Sequence, residues 1–127
     1  LKLSTIFNFL KDESLYNEII SEGGDEILEY SKRSKIKGAS IPIILLEDIN
    51  YVLIGVNELK VLCNAYLNGL INEFYVGYIV DALQLSEKVE FENEHVADAF
   101  SILTDPEVNG EINKNLALDI LNGISIF

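Results

Sequence analysis

The residues best suited to chemistry are few. The chain has one cysteine, Cys63, and one histidine, His95. A thiol or hydroxyl nucleophile needs a base, and the base needs a third group to orient it. Cys63 shares a helically spaced stripe with Leu59, Leu62 and Tyr66, which reads as an inert core thiol. His95 sits in an acidic segment, on the outer or flanking face of its helix. One Cys and one His do not complete a structural zinc site. Gly23-Gly24 reads as a helix stop, since no glycine-rich phosphate loop follows a strand.

Calcium has a partial signature. Asp105, Glu107, Asn109, Gly110, Glu111 and Asn113 have the order of an EF-hand loop, but its closing position holds Leu116 where a bidentate glutamate belongs. Thr104 or Asp105 followed by Pro106 also reads as a helix start. Carboxylate catalysis requires two acids in contrasting environments. Glu73 and Asp81 come closest, on the less apolar side of a central helix, and no Asp or Glu is marked as buried. The chain therefore reads as a non-enzyme, with no catalytic residue, no metal ligand and no cofactor assigned.

What stands out is the charge. The 127 residues hold nine Lys and Arg against 21 Asp and Glu, a net charge of −12. The second half contributes only Lys88 and Lys114 to the basic side. Glu87, Glu90, Glu92, Glu94 and Asp98, continued by Asp105, Glu107 and Glu111, form an acidic run. A solvated, solubilising face is the ordinary reading of such a run. The alternative is a docking surface for a basic protein, because complementary charge speeds encounter. The same charge argues against direct binding of nucleic acid or anionic membrane. Lys32, Arg33, Lys35 and Lys37 oppose it locally, and a helix C-terminus accounts for them.

The elements that must carry these residues read as helices. Hydrophobic residues are 49% and charged residues 24%, the balance of a globular domain spanning 1–127. No apolar run approaches the ~18 residues of a membrane span. One cysteine suits a reducing compartment and residues 1–10 lack a signal-peptide pattern, so a cytosolic protein is expected.

Ser4 or Thr5 is expected to cap a first helix burying Ile6, Phe7 and Leu10. A second helix with Leu15, Tyr16, Ile19 and Ile20 should end at Gly23-Gly24. Asp25 and Glu26 should start a third, with Ile27, Leu28 and Ser31 inward. Residues 36–56 hold β-branched Ile41, Ile43, Ile44, Ile49, Val52, Ile54 and Val56 yet also fit helical spacing, and a short strand there stays open. Asn57 reads as an N-cap for a helix through Leu70. A central helix follows, apolar over most of its circumference, carrying Ile71, Phe74, Tyr75, Tyr78, Ile79, Ala82 and Leu83. Val96, Ala99, Phe100 and Leu103 mark an inner face opposite Glu94, Asp98 and Ser101, and a last helix spans Glu111 to Leu121. The expectation is an all-α, compact single domain of seven or eight short helices.

Several segments of the second half carry a family resemblance. Leu62-Cys63-Asn64-Ala65-Tyr66-Leu67-Asn68-Gly69, Tyr78-Ile79-Val80-Asp81-Ala82-Leu83, Val89-Glu90-Phe91 and Leu103-Thr104-Asp105-Pro106-Glu107-Val108-Asn109-Gly110 are among them. Over residues 57–121 the chain resembles the small helical immunity proteins of bacterial contact-dependent growth inhibition systems. That resemblance implies a cytosolic antidote which binds one cognate toxin domain 1:1 and blocks its active site. It implies a nuclease as the toxin, with an RNase A-like ribonuclease as the first choice. The toxin-binding residues, Glu87, Glu90, Glu92, Glu94, Asp98, Asp105, Glu107 and Glu111, follow from charge and not from the family. The alternative function is a regulatory or scaffold domain that binds a helical peptide between its helices.

Overall fold

The structure is a computed structural model that describes residues 1–33, 43–104 and 113–124. Among the described residues, six α-helices and one parallel strand pair appear, where the sequence suggested seven or eight helices. In chain order they are α1 (Leu3–Lys11), a 3₁₀ turn (Glu13–Leu15), α2 (Tyr16–Arg33), β1 (Val52–Ile54), α3 (Val56–Leu67), α4 (Glu73–Leu85), β2 (Val89–Phe91), α5 (Glu94–Thr104) and α6 (Lys114–Ile124). The fold is mostly helical, as expected. No described helix is long and apolar enough to cross a membrane.

α1 begins at Leu3, ahead of both expected caps. Its N-cap is Lys2, whose side chain makes no capping bond. The start is instead pinned from a distance. Leu3 N–H donates to the Leu46 carbonyl at 2.9 Å, and Leu46 N–H donates to the Leu1 carbonyl at 3.0 Å. The Ser4 N–H and hydroxyl both donate to Asp48. Thr5 is buried and its hydroxyl donates to Glu22 Oε2 at 2.8 Å, tying α1 to α2 rather than capping α1.

Gly23-Gly24 does not stop a helix. α2 runs unbroken across both. Two mid-helix glycines cost about 1 kcal/mol each relative to alanine, and packing shows why one of them is there. A Cβ on Gly23 would lie 3.1 Å from Leu1 Cδ1, closer than nearly all real contacts. Leu28, expected inward, is exposed, whereas Ile27 is buried. Lys32 and Arg33 do occupy the last turn of α2, where its dipole favours cations. Lys35 and Lys37 lie outside the described residues.

The ambiguity over 36–56 resolves in its described part. Val52–Ile54 is a strand, and Leu46 bridges to Lys2. The strand's partner is β2, which the sequence reading left unassigned. The two run parallel, with Val52, Leu53 and Ile54 opposite Val89, Glu90 and Phe91. Parallel neighbours need a long crossover, and here α3 and α4 supply it. α3 starts at Val56 with Gly55 as N-cap, two residues before the expected Asn57. Glu58 explains the shift: its carboxylate accepts the Gly55 N–H at 3.1 Å, the reciprocal half of a capping box.

α4 is central, as its apolar circumference suggested. Val76, Gly77, Tyr78, Ile79, Val80, Ala82 and Leu83 are buried. Asn72 caps it, with Oδ1 accepting the N–H groups of Phe74 and Tyr75 at 3.0 and 3.1 Å. α4 lies against α2 on one side and α5 on the other, while α3 contacts α1 and α6. One hydrophobic cluster draws buried side chains from all six helices and from β1, with Val89 and Phe91 of β2 packed against it.

Candidate functional site

The acidic residues are positioned by the passage from α4 through β2 into α5. Glu87 lies in the turn after α4. Its N–H donates to Glu47 Oε1 at 3.0 Å, and the Ser86 hydroxyl donates to the same oxygen. The bond from Ser86, then that from Glu87, holds the Glu47 carboxyl below the usual carboxylate range. Glu90 is the middle residue of β2 and accepts the Tyr51 hydroxyl at 2.6 Å. That bond raises the Tyr51 hydroxyl above its ordinary pKa. Glu92 folds over Gly55, where a Cβ would fall 2.6 Å from Glu92 Oε2, and accepts the Val56 N–H at 3.3 Å. Gly55 therefore leaves room for a carboxylate at the start of α3.

Glu94 and Asp98 follow on α5, one helical turn apart. Val96, Ala99, Phe100 and Leu103 are buried behind them, so both faces of this helix are as expected. Glu87, Glu90, Glu92, Glu94 and Asp98 are all exposed. The structure thus places Glu90 on β2, Glu87 and Glu92 in the turns that flank it, and Glu94 and Asp98 on the helix that follows. Asp105, Glu107 and Glu111 lie outside the described residues, and so does most of the calcium-like loop. Asn113, its ninth position, serves as a helix cap: its Oδ1 accepts the Leu116 N–H at 2.9 Å.

Family models, curated proteins and solved structures all fail to match this chain. The site stands on its own geometry.

The interior holds polar groups that the sequence reading missed. Glu58 is buried, against the expectation that no acid is. Burial pushes its pKa up, but the bond from Lys11 Nζ and the backbone bonds outweigh that and leave it below the ordinary value. The i, i+3 relation to Gly55 was the available signal. Asp81 is half-buried on α4 rather than on an open helix side. It accepts the Tyr30 hydroxyl at 3.0 Å, and burial raises its pKa despite that bond. Tyr78 is fully buried; its hydroxyl donates to Glu26 Oε2 at 2.7 Å and accepts the Ile44 N–H at 3.0 Å. Tyr30 and Tyr78 meet edge to face at 5.4 Å. These bonds tie α2 to α4. Cys63 is buried and its thiol is pushed up to about 12 by desolvation, in line with the inert reading.

A shallow groove of about 310 Å³ runs between α5 and α6. Ala99, Ile102, Leu116 and Ile120 line it, with His95, Asp98 and Asp119 among its polar residues.

Proposed function

We propose that the chain is a non-enzymatic immunity protein that neutralises one basic toxin domain in the cytosol, as a 1:1 complex. The toxin is a nuclease, with an RNase A-like ribonuclease as first choice. Nucleases hold a polyanion, so their active sites are basic. An acidic protein can cover such a site in place of the nucleic acid. One observation carries the reading: Glu87, Glu90, Glu92, Glu94 and Asp98 are exposed together on β2, α5 and the turns that flank β2, with only Lys88 among them. Asp105, Glu107 and Glu111, which lie outside the described residues, are added to this set by charge alone. Steering by these carboxylates would set the association rate, and a few desolvated side chains would set the affinity.

The test uses the full chain as bait in lysate of its own organism, at low and then moderate salt. The expected result is one basic polypeptide whose nuclease activity is silenced at equimolar bait. Reversing Glu90, Glu94 and Asp98 to lysine should then slow association and flatten its salt dependence. A captured nuclease that stays active at equimolar bait sinks the proposal, and so does capture of nothing basic.

The second reading is a regulatory domain that binds a helical peptide. The groove between α5 and α6 favours it, because Ile102 is 37% exposed beside Ala99, Leu116 and Ile120. Binding that is insensitive to salt would select this alternative.

A further inference from the structure

Exposed apolar side chains are unexpected beside so much charge, and several gather at the β1–β2 ribbon. Tyr51 is 61% exposed and Leu53 44%. Side chains two apart on a strand share a face, so Tyr51 and Leu53 project together. Leu53 is in register with Glu90, whose carboxylate accepts the Tyr51 hydroxyl. Two residues to either side of Glu90, Lys88 and Glu92 share that face, and the Glu92 carboxylate also accepts the Val56 N–H. At the ribbon's entrance Glu47 grips Ser86 and Glu87, and their sequence neighbours Leu46 and Leu85 are 61% and 69% exposed. The result is an apolar centre whose rim holds more carboxylates than cations, Lys88 being the cation on this face. Val52 and Ile54, on the opposite face of β1, are buried, so Tyr51 and Leu53 are not needed by the core.

The rim restricts what can cover this face. A second copy would set Glu90 and Glu92 against their own counterparts on a molecule of net charge −12. An anionic lipid surface is repelled for the same reason. Strands of three residues offer too little edge for strand addition to be the main contact. A cationic protein segment meets both features. Its arginines or lysines face Glu90 and Glu92, and an apolar side chain covers Leu53 and the Tyr51 ring. The bond to Glu90 already restrains Tyr51, which lowers the ordering cost of binding.

We propose that the outward face of the ribbon, with Tyr51 and Leu53 at its centre and Glu90 and Glu92 at its rim, is the anchoring patch for a cationic, apolar-tipped segment of a partner protein. This deepens the acidic-docking reading above and rests on it for the sign of the partner's charge, not for the partner being a toxin.

The test titrates two capped peptides of equal charge, Arg-Leu-Arg-Leu-Arg and Arg-Ser-Arg-Ser-Arg, into the isotope-labelled full chain and follows backbone amide shifts. The leucine peptide is expected to shift residues 51–54 and 88–92 and to bind about tenfold more tightly than the serine peptide, the scale of burying one leucine side chain. Leu53→Ser and Tyr51→Ala should each remove most of that advantage, read as the ratio of the two peptides' affinities on the same variant. Both positions are exposed, so both variants keep the fold, and an unchanged amide spectrum elsewhere verifies it. Equal affinities for the two peptides overturn the proposal, as does no binding of either. Shifts confined to the α5–α6 groove overturn it in favour of that groove. Self-association through residues 51–54 at high salt overturns it in favour of a second copy. No nuclease enters this test, so a chain that passes it yet silences no nuclease keeps the patch and loses the immunity reading.

Discussion

At the scale of single residues, a buried and a half-buried carboxylate pull the stability in opposite directions. Glu58 keeps a pKa below its ordinary value because Lys11 and backbone N–H groups outweigh burial. A depressed folded pKa contributes stability that is present above the unfolded value and lost as pH falls through the folded one. Asp81 is the reverse: burial raises its pKa, so the folded protein binds the proton more readily. Its contribution falls as pH rises through the window above the unfolded value. We expect Glu58→Gln to cost about 1.5–3 kcal/mol at pH 7, the range of a hydrogen bond to a charged group. The variant should also lose less stability than the parent on acidification below pH ~4.5. Asp81→Asn should be neutral or stabilising at pH 7, since an amide oxygen can still accept the Tyr30 hydroxyl. Urea unfolding at pH 4 and pH 7 decides both, and a large loss for Asp81→Asn at pH 7 would contradict the burial argument.

Neither environment was legible in the sequence. Asp81 and Glu73 look alike on a helical projection, but Tyr30 approaches only Asp81, from α2. Glu58 looks like any first-turn acid until Lys11 arrives from α1. Both partners are distant in sequence, and local spacing carries no record of them.

At the scale of elements, the glycines separate by their surroundings. Gly24 and Gly77 both sit inside helices, yet a Cβ at Gly24 would meet only the Tyr75 hydroxyl at 3.6 Å, an ordinary contact. A Cβ at Gly77 would lie 2.9 Å from the Tyr30 hydroxyl. Tyr30 cannot retreat freely, because Asp81 holds its oxygen and Tyr78 packs against its ring. Gly24→Ala should therefore stabilise by about 0.5–1 kcal/mol through helix propensity. Gly77→Ala should destabilise by about 1 kcal/mol despite the same propensity gain. Adding Tyr30→Phe removes the clashing oxygen and should recover part of that loss. Opposite shifts of the urea midpoint test the pair, and shifts of the same sign would refute the contrast.

Capping belongs to this scale as well. Asn72→Ala removes the acceptor of two N–H groups at the start of α4 and should cost about 1 kcal/mol. Hydrogen exchange should rise at Phe74 and Tyr75, with α5 unaffected. The helical faces of α3, α4 and α5 were readable because their apolar residues recur at the helical period over several turns. β2 was not. Three residues complete less than two periods of alternation, and only the pairing with β1 marks Val89–Phe91 as a strand.

At the scale of the whole molecule, a net charge of −12 sets a salt dependence. Like charges within the folded chain repel, and added salt screens them over roughly 10 Å at 0.1 M. The melting temperature should rise between 10 and 200 mM sodium chloride. Glu90→Lys with Glu94→Lys should raise it at low salt and reduce the further gain. A melting temperature that falls with salt would mean that favourable ion pairs outweigh the repulsion.

Composition and period determined the helical class, the central place of α4, the buried face of α5 and the excess of negative charge. These follow from short-range patterns and from counts, and tertiary contacts do not alter them. Tertiary structure alone decided that α2 runs through two glycines, that Glu58 is buried and Asp81 bonded to Tyr30, and that Tyr51 and Leu53 stand exposed beside Glu90. Each of these depends on which distant segment arrives: Leu1 at Gly23, Lys11 at Glu58, Tyr30 at Asp81, and β2 at β1. Burial and pairing are properties of the folded neighbourhood, and a linear pattern encodes them only when the neighbours are also neighbours along the chain.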